Sequence, residues 1–262
     1  MKPFNINTVA MARLTAKDYV YFNSREENRM RETFPILHNI ALQYAMKNVV
    51  GGCGYRMHDL VPTYVEDFER ALHQFYIYPA VPSMSLSRNM QVSERLQAST
   101  INTIFGWQSE SYRTFSEQTS NNLLQYTDVK LLEPGNEFIT FITSEMNFED
   151  LRKNIPHYIR LGKLMSTVEM ELVECKFNRR TGEAGDTMTW YINPIDIAPT
   201  LKIGHDYISS LFRMNPCDLL HHITLRRDGA PLISITMPDN QHVLLPACHH
   251  FQALPRKEGD AN

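Results

Sequence analysis

Lys17-Asp18-Tyr19-Val20-Tyr21-Phe22-Asn23, the polar stretch from Ser24 to Glu32, and Thr33-Phe34-Pro35-Ile36-Leu37-His38-Asn39-Ile40-Ala41-Leu42-Gln43-Tyr44-Ala45 together decide the fold class. The first segment is dense in aromatic and β-branched side chains, which suit a pleated surface, and it predicts the first strand. Ser24 to Glu32 is polar, holds Arg25, Arg29 and Arg31, and predicts a turn. Thr33 can then cap a helix with Pro35 in its first turn, where a missing N–H costs nothing. Leu37, Ile40, Ala41, Tyr44 and Ala45 recur at the helical period, so the helix is predicted to run to about Asn48. Gly51-Gly52-Cys53-Gly54 would stop it. Those glycines could also fold over a phosphate through backbone N–H groups, but termination is the commoner use of such a run.

Strands dominate outward from that opening. Phe75 to Val81 predicts a strand at a sheet edge, because Pro79 cannot donate to a ladder. From Pro82 to about Asn122 the chain is polar, with Ile101 to Trp107 as its strongly apolar stretch. A segment of that kind inside a domain is usually a protrusion or a mobile loop. Pro134-Gly135-Asn136 predicts a turn into a strand from Glu137 to Thr143, and Val168 to Cys175 alternates as a half-exposed strand does. Further strand-like runs stand at Met188 to Ile192, Leu219 to Leu225, Leu232 to Met237 and Val243 to Leu245. The economical fold is α+β, with an RRM-like (ferredoxin-like) split βαβ core. The expected organisation is a core over 1–175 carrying an inserted arm at about 82–122, then a β-rich C-terminal part over 176–254 packed on the core. A charged, disordered tail is expected over 255–262.

Composition excludes several function classes. The 262 residues are 43% hydrophobic and 21% charged, as in a globular protein with an ordinary core. No run reaches the ~18 apolar residues of a membrane span, and the start lacks a secretory signal, so a cytoplasmic protein is expected. Cys53, Cys175, Cys217 and Cys248 form no CxxC pair, which argues for reduced thiols rather than a zinc ribbon. His221-His222 and His249-His250 invite a metal reading, but adjacent strand residues point to opposite faces and no converging ligand set emerges. No metal or cofactor is expected. The net charge of −3 argues against a protein that coats nucleic acid over its whole surface, yet charge is uneven. Leu151 to Val168 carries Arg152, Lys153, Arg160 and Lys163 without an acid, directly after an acidic stretch.

Four stretches, in order, carry a family resemblance. They are Ser24-Arg25-Glu26 leading into Arg31 through Ala45; Lys130-Leu131-Leu132-Glu133-Pro134-Gly135-Asn136-Glu137-Phe138; Ile155-Pro156-His157-Tyr158-Ile159-Arg160-Leu161-Gly162-Lys163-Leu164-Met165-Ser166; and Asn193-Pro194-Ile195-Asp196-Ile197. Together they resemble the Cas-five-type (Csc-one family) subunit of type I-D CRISPR surveillance complexes (Cascade). The resemblance implies an RRM-like core with a protruding thumb, in a ribonucleoprotein complex serving antiviral defence. It implies a non-catalytic subunit that caps the five-prime handle of the crRNA, next to the end where the PAM of target DNA is read. Its partners would be a Cas-ten-type large subunit and Cas-seven-type backbone subunits, and precursor cutting would belong to a Cas-six-type subunit.

The candidate contacts follow. Guanidinium groups suit phosphates and splayed bases, so the resemblance favours RNA contact for at least one of Arg25, Arg29 and Arg31; a solvated turn paired with Glu26, Glu27 and Glu32 is the plain alternative. His38 could meet a base or phosphate, with Asn39 beside it, or His38 could be a half-buried structural residue. Arg160 and Lys163 bracket Gly162, which suits a phosphate seat with Tyr158 alongside; a tight turn with exposed charges is the alternative. Arg88, Arg95 and Arg113 are the thumb's candidate nucleic-acid contacts. Some Cas-five-type relatives of another subtype cleave RNA with Tyr, Lys and His. Here Tyr44, Lys47 and His38 fall on one predicted helix and could not all face one phosphate, so no nuclease is read. The competing function is a metal-independent endoribonuclease processing precursor crRNA.

Overall fold

A computed structural model describes residues 6–27, 30–46, 75–83, 97–104, 126–197, 204–238 and 240–247. Its strands are β1 (Thr8–Ala16), β2 (Arg25–Glu27), β3 (Met30–Glu32), β4 (Phe75–Ile77), β5 (Val81–Pro82), β6 (Ala98–Ile104), β7 (Tyr126–Leu132) and β8 (Glu137–Ser144). They continue as β9 (Tyr158–Leu161), β10 (Ser166–Thr181), β11 (Thr187–Met188), β12 (Tyr207–Phe212), β13 (Leu219–Leu225), β14 (Pro231–Thr236) and β15 (His242–Pro246). Among the described residues stand two α-helices, α1 (Asn39–Ala45) and α2 (Phe148–Asn154), with a 3-10 turn at Pro194–Asp196. The chain is α+β.

The main sheet runs β15-β14-β10-β1-β8-β4, with β9 pairing β10 and β5 pairing β8, antiparallel throughout. β1 lies at its centre and separates two cores. Ala10, Ala12, Leu14 and Ala16 face Leu42 and Met46 around α1 and Leu151 of α2, together with Ile159, Leu161 and Val168. Val9 and Met11 face the opposite way, into a core with Phe141, Trp190, Tyr191, Leu219 and Ile233. The C-terminal strands therefore cover part of the sheet face that the helices leave free. A second sheet, β2-β3-β7-β6, and a third, β11-β13-β12, flank the first.

The structure corrects the opening of the chain. The strand expected over Lys17–Asn23 lies earlier, at Thr8–Ala16. Thr8–Ala12 of β1 are buried on both faces, so the apolar–polar alternation that marks a half-buried strand is missing from that half and confined to Ala12–Ala16. Residues 17–23 instead lean on several neighbours in turn. Lys17 N–H donates to Thr167, Val20 bridges Leu132, and the Tyr21 carbonyl accepts from Lys163. The polar turn expected over Ser24–Glu32 is the β2–β3 hairpin, with β3 running parallel to β7.

The helix expected from Thr33 begins at Asn39. Thr33 Oγ1 is bound to both backbone groups of Phe22, and Leu37 exchanges backbone hydrogen bonds with Ala80. These bonds hold Thr33 to Phe22 and Leu37 to Ala80, with a bend at Pro35 and Ile36 between them, and keep the stretch out of the helix. His38 caps the helix, its Nδ1 accepting from the Ile40 N–H at 3.2 Å. Met46 closes the last described turn, and the Gly51–Gly54 stop lies outside the described residues.

The edge strand expected over Phe75–Val81 is present as β4 and β5 on β8, with Pro79 between them. The Pro134–Asn136 turn and the strand after it also match. Asn136 Nδ2 donates to the carbonyls of Glu133 and Gln97, which ties the turn to the start of β6. The strands β6, β7 and β9 went unpredicted, as did two further elements. One is β12; the other is α2, whose Asn147 cap, acidic first turn and basic last turn suit the helix dipole. Over Met188–Ile192 the pairing is limited to β11 and a bridge from Ile192 to Leu220. β10 runs unbroken through position 175 and pairs β14 with its far half.

Candidate nucleic-acid interface

β9 turns its residues alternately inward and outward. Ile159 and Leu161 enter the helix-side core, so Tyr158 and Arg160 face out on the other side of the sheet, and Tyr158 is 56% exposed. The register places Tyr158 opposite Glu169 and Arg160 opposite Thr167. Arg160 Nη1 donates to Thr167 Oγ1 at 2.6 Å and to the Met165 carbonyl at 3.2 Å, which holds the guanidinium over the hairpin. Asp18, whose carboxylate accepts from the Thr167 N–H, is held below the usual carboxylate range chiefly by that bond, with a smaller pull from Arg160.

Gly162 turns the hairpin with φ +72°, and a Cβ there would meet the Tyr21 carbonyl oxygen at 2.4 Å. Its close approach is thus to the chain itself. Lys163, exposed, donates its N–H to the same carbonyl at 2.9 Å, and Leu164 and Met165 follow as exposed apolar side chains. Ser166 Oγ donates to the Tyr19 carbonyl. These bonds fasten the β9–β10 hairpin to residues 19–21, and a few residues on Ser24 N–H donates to Glu32 across the base of the β2–β3 hairpin. The β9–β10 hairpin and the β2–β3 hairpin are therefore anchored on neighbouring residues of one segment, Tyr19 to Ser24.

Within the β2–β3 hairpin the arginines differ. Arg25 is exposed, whereas Arg31 is 2% exposed and pairs with Glu26 at 3.2 Å. Arg29, Arg88, Arg95 and Arg113 lie outside the described residues.

His38 and Asn39 point inward. His38 Nε2 lies 3.2 Å from Cys217 Sγ, and burial pushes its pKa down to about 4. Asn39, 0% exposed, donates to Asp196 Oδ2 at 2.7 Å and to the Tyr76 hydroxyl at 3.2 Å, and accepts from Asn193 Nδ2. The Tyr76 hydroxyl donates to the same Asp196 oxygen at 2.5 Å. Burial pushes the Asp196 carboxyl up to about 7, opposed by the Tyr76 and Asn39 bonds. This cluster joins the helix to the Asn193–Ile197 stretch, so two of the four family-bearing stretches meet in the interior. Tyr76, Asp196 and Cys217 were missed as members; the clue was a buried-type Asp behind Asn-Pro, which is visible only once the partners are known.

The two adjacent histidines behave differently from the strand expectation. His222 has φ +51°, beside the register shift at Ile208/Ser210, and this brings the His221 and His222 rings to 4.3 Å. Alternation fails because the backbone leaves the extended region there. Among the described residues no group of three or more His, Cys, Asp or Glu side chains is placed to hold a metal ion. Among them also, no helix is long and apolar enough to cross a membrane.

A comparison with curated proteins returns no match. A family model does match, described as type I-D CRISPR-associated protein Cas5/Csc1, and it spans residues 7–253, from the start of β1 past the end of β15. Because that match covers nearly the whole chain, both cores and all three sheets included, the chain belongs to the type I-D CRISPR-associated Cas5/Csc1 family.

Proposed function

We propose that this chain is a non-catalytic subunit of a type I-D CRISPR effector complex that binds the five-prime handle of the crRNA through the β9–β10 hairpin. Family membership supports a place in the effector complex. The observation that carries the handle reading is the outward-facing Tyr158 and Arg160 on a sheet face the helices leave open, with Lys163 at the hairpin turn. Aromatic stacking and guanidinium contact are the usual chemistry for splayed single-stranded bases and their phosphates. Arg25 is the further contact available on the β2–β3 hairpin.

An RRM-like core fits the strand order. β10-β1-β8-β4, with α1 after the first strand in sequence and α2 after the third, is the order of a split βαβ sandwich. The thumb reading rests on the polar insertion around 82–122, of which β6 is described, paired to β7. The large subunit, the backbone subunits and target DNA near the PAM are the partners this reading assigns.

The test is incubation of the full chain with a labelled CRISPR repeat RNA in EDTA. Retention of uncut RNA is the expected result. A unique cut would replace this reading by the endoribonuclease one, and no retention in either the chain or its complex would overturn it.

A further inference from the structure

Glu169 on β10 stands where an ammonium, an imidazole ring and a phenol meet. Lys17 Nζ lies 2.5 Å from its Oε2, His157 Nε2 lies 3.2 Å from its Oε1, and the Tyr158 hydroxyl donates to Oε1 at 3.3 Å. The run around Tyr158 is free of acids in sequence, yet strand pairing delivers one to its centre. The donors are held in place independently of the acid. His157 Nδ1 sits 2.9 Å from the Met170 carbonyl, which fixes the ring and aims Nε2 at the carboxylate. The His157 and Tyr158 rings meet edge to face with centroids 4.7 Å apart. Lys17 follows directly on β1, its N–H anchored to Thr167.

An ammonium and a phenol converging on one anion would hold a phosphate oxygen equally well, and the His157 ring joins them as an imidazolium, because the Met170 carbonyl takes the Nδ1 proton. The bond to Lys17 holds the Glu169 carboxyl below the usual range and raises the lysine above its own, so both are charged at neutral pH. Resting on the RNA-binding reading above, we infer that Lys17, His157 and Tyr158 form a seat for an RNA backbone phosphate, which the Glu169 carboxylate occupies in the absence of RNA. Two anions cannot share the seat, so Glu169 swings out as the phosphate enters. The exchange is inexpensive because a partly exposed ion pair contributes little. Glu169 thereby weakens binding of stray anions, which must displace it without the stacking on the Tyr158 ring and the Arg160 contact that a nucleotide gains. Glu171 lies on the same face but opposite Arg13, and Glu137 lies opposite Thr15.

The experiment measures affinity of the full chain for fluorescent repeat RNA across a salt series. Glu169→Gln should bind about three- to tenfold more tightly at low salt, since a nearby like charge is removed. Lys17→Ala should bind more weakly and lower the salt slope by about 0.7, one single-strand phosphate contact. Glu171→Gln removes the same charge from the same face outside the seat, and should change affinity less than Glu169→Gln. Thermal unfolding of each variant checks that it is folded. If the wild type binds RNA and Glu169→Gln binds equally or more weakly, the seat is overturned. An equal gain from Glu171→Gln overturns it too, since the effect would then be general charge. A wild type that binds no RNA removes both this inference and the function on which it rests.

Discussion

At the start of α1, His38 and Asn39 turn inward onto Cys217 and Asp196, while on β9 Tyr158 and Arg160 turn outward over the sheet. Both pairs stood out in the sequence for the same reason, as polar or cationic side chains inside family-bearing stretches. Their surroundings separate them. The α1 pair sits between two packed layers, where each polar atom needs a protein partner and a lost partner is costly. The β9 pair sits on a strand with one buried and one open face, where a partner can come from outside. A polar residue in a family motif thus reports either an internal joint or a contact, and the packing around it decides which.

Substitutions should divide along that line. The largest loss of stability is expected for Asn39→Ala, about 2–4 kcal/mol, because it strands the amide of Asn193 and leaves Asp196 one donor fewer. Chemical denaturation measures it, and a loss under 1 kcal/mol would mean the interior joint contributes little. Gly162→Ala should cost about 1–3 kcal/mol, since the added Cβ runs into the Tyr21 carbonyl at a positive φ. That loss would show that the hairpin glycine serves the fold before any ligand.

The pH dependence of stability sharpens the interior half of the comparison. His38 has its folded pKa lowered to about 4 from 6.5, so the unfolded chain takes the proton first and stability is lost as pH falls from 6.5 towards 4. Asp196 has its folded pKa raised to about 7 from 3.8, so the folded chain keeps the proton and stability is lost as pH rises across that range. Between pH 4 and 6.5 the two oppose each other. Relative to wild type, Asp196→Asn should lose stability on acidification and His38→Asn should gain it, each by at most about 1.4 kcal/mol per pH unit. Parallel pH profiles for both variants and the wild type would show that neither group titrates with folding.

The smallest effect on stability belongs to the surface pair. Tyr158→Ala and the double variant Arg160→Ala with Lys163→Ala should stay within about 0.5 kcal/mol of wild type. Their effect should fall on RNA instead. The double variant should flatten the salt dependence by about 1.4 in slope if both residues touch phosphates. An unchanged slope in the folded double variant would remove the hairpin from the interface.

Several elements were legible from residue order alone. Glu137–Ser144, the long β10 and the C-terminal hairpin strands each have one exposed or partly exposed stretch, or a turn signal such as Pro134-Gly135-Asn136 beside them. Local chemistry suffices there because alternation and turn geometry act within a few residues. The Gly162 turn between Arg160 and Lys163 was legible for the same reason, whereas the strand that turns Tyr158 and Arg160 outward was not.

What the tertiary structure alone decided depends on partners distant in sequence. The first half of β1 was unreadable because packing on both faces of Thr8–Ala12 erases the alternation that marks a strand. Residues 33–37 stay out of the helix because Phe22 claims the Thr33 hydroxyl and Ala80 the Leu37 backbone ahead of any helical bond. Asn39 reaches Asp196 across 157 positions, and Glu169 arrives beside Tyr158 through strand pairing, so neither environment is written near the residue it governs. Propensity and charge runs describe what a residue can do with its neighbours in sequence. Burial and hydrogen-bond competition, which fix what it does, are set by the neighbours it acquires on folding.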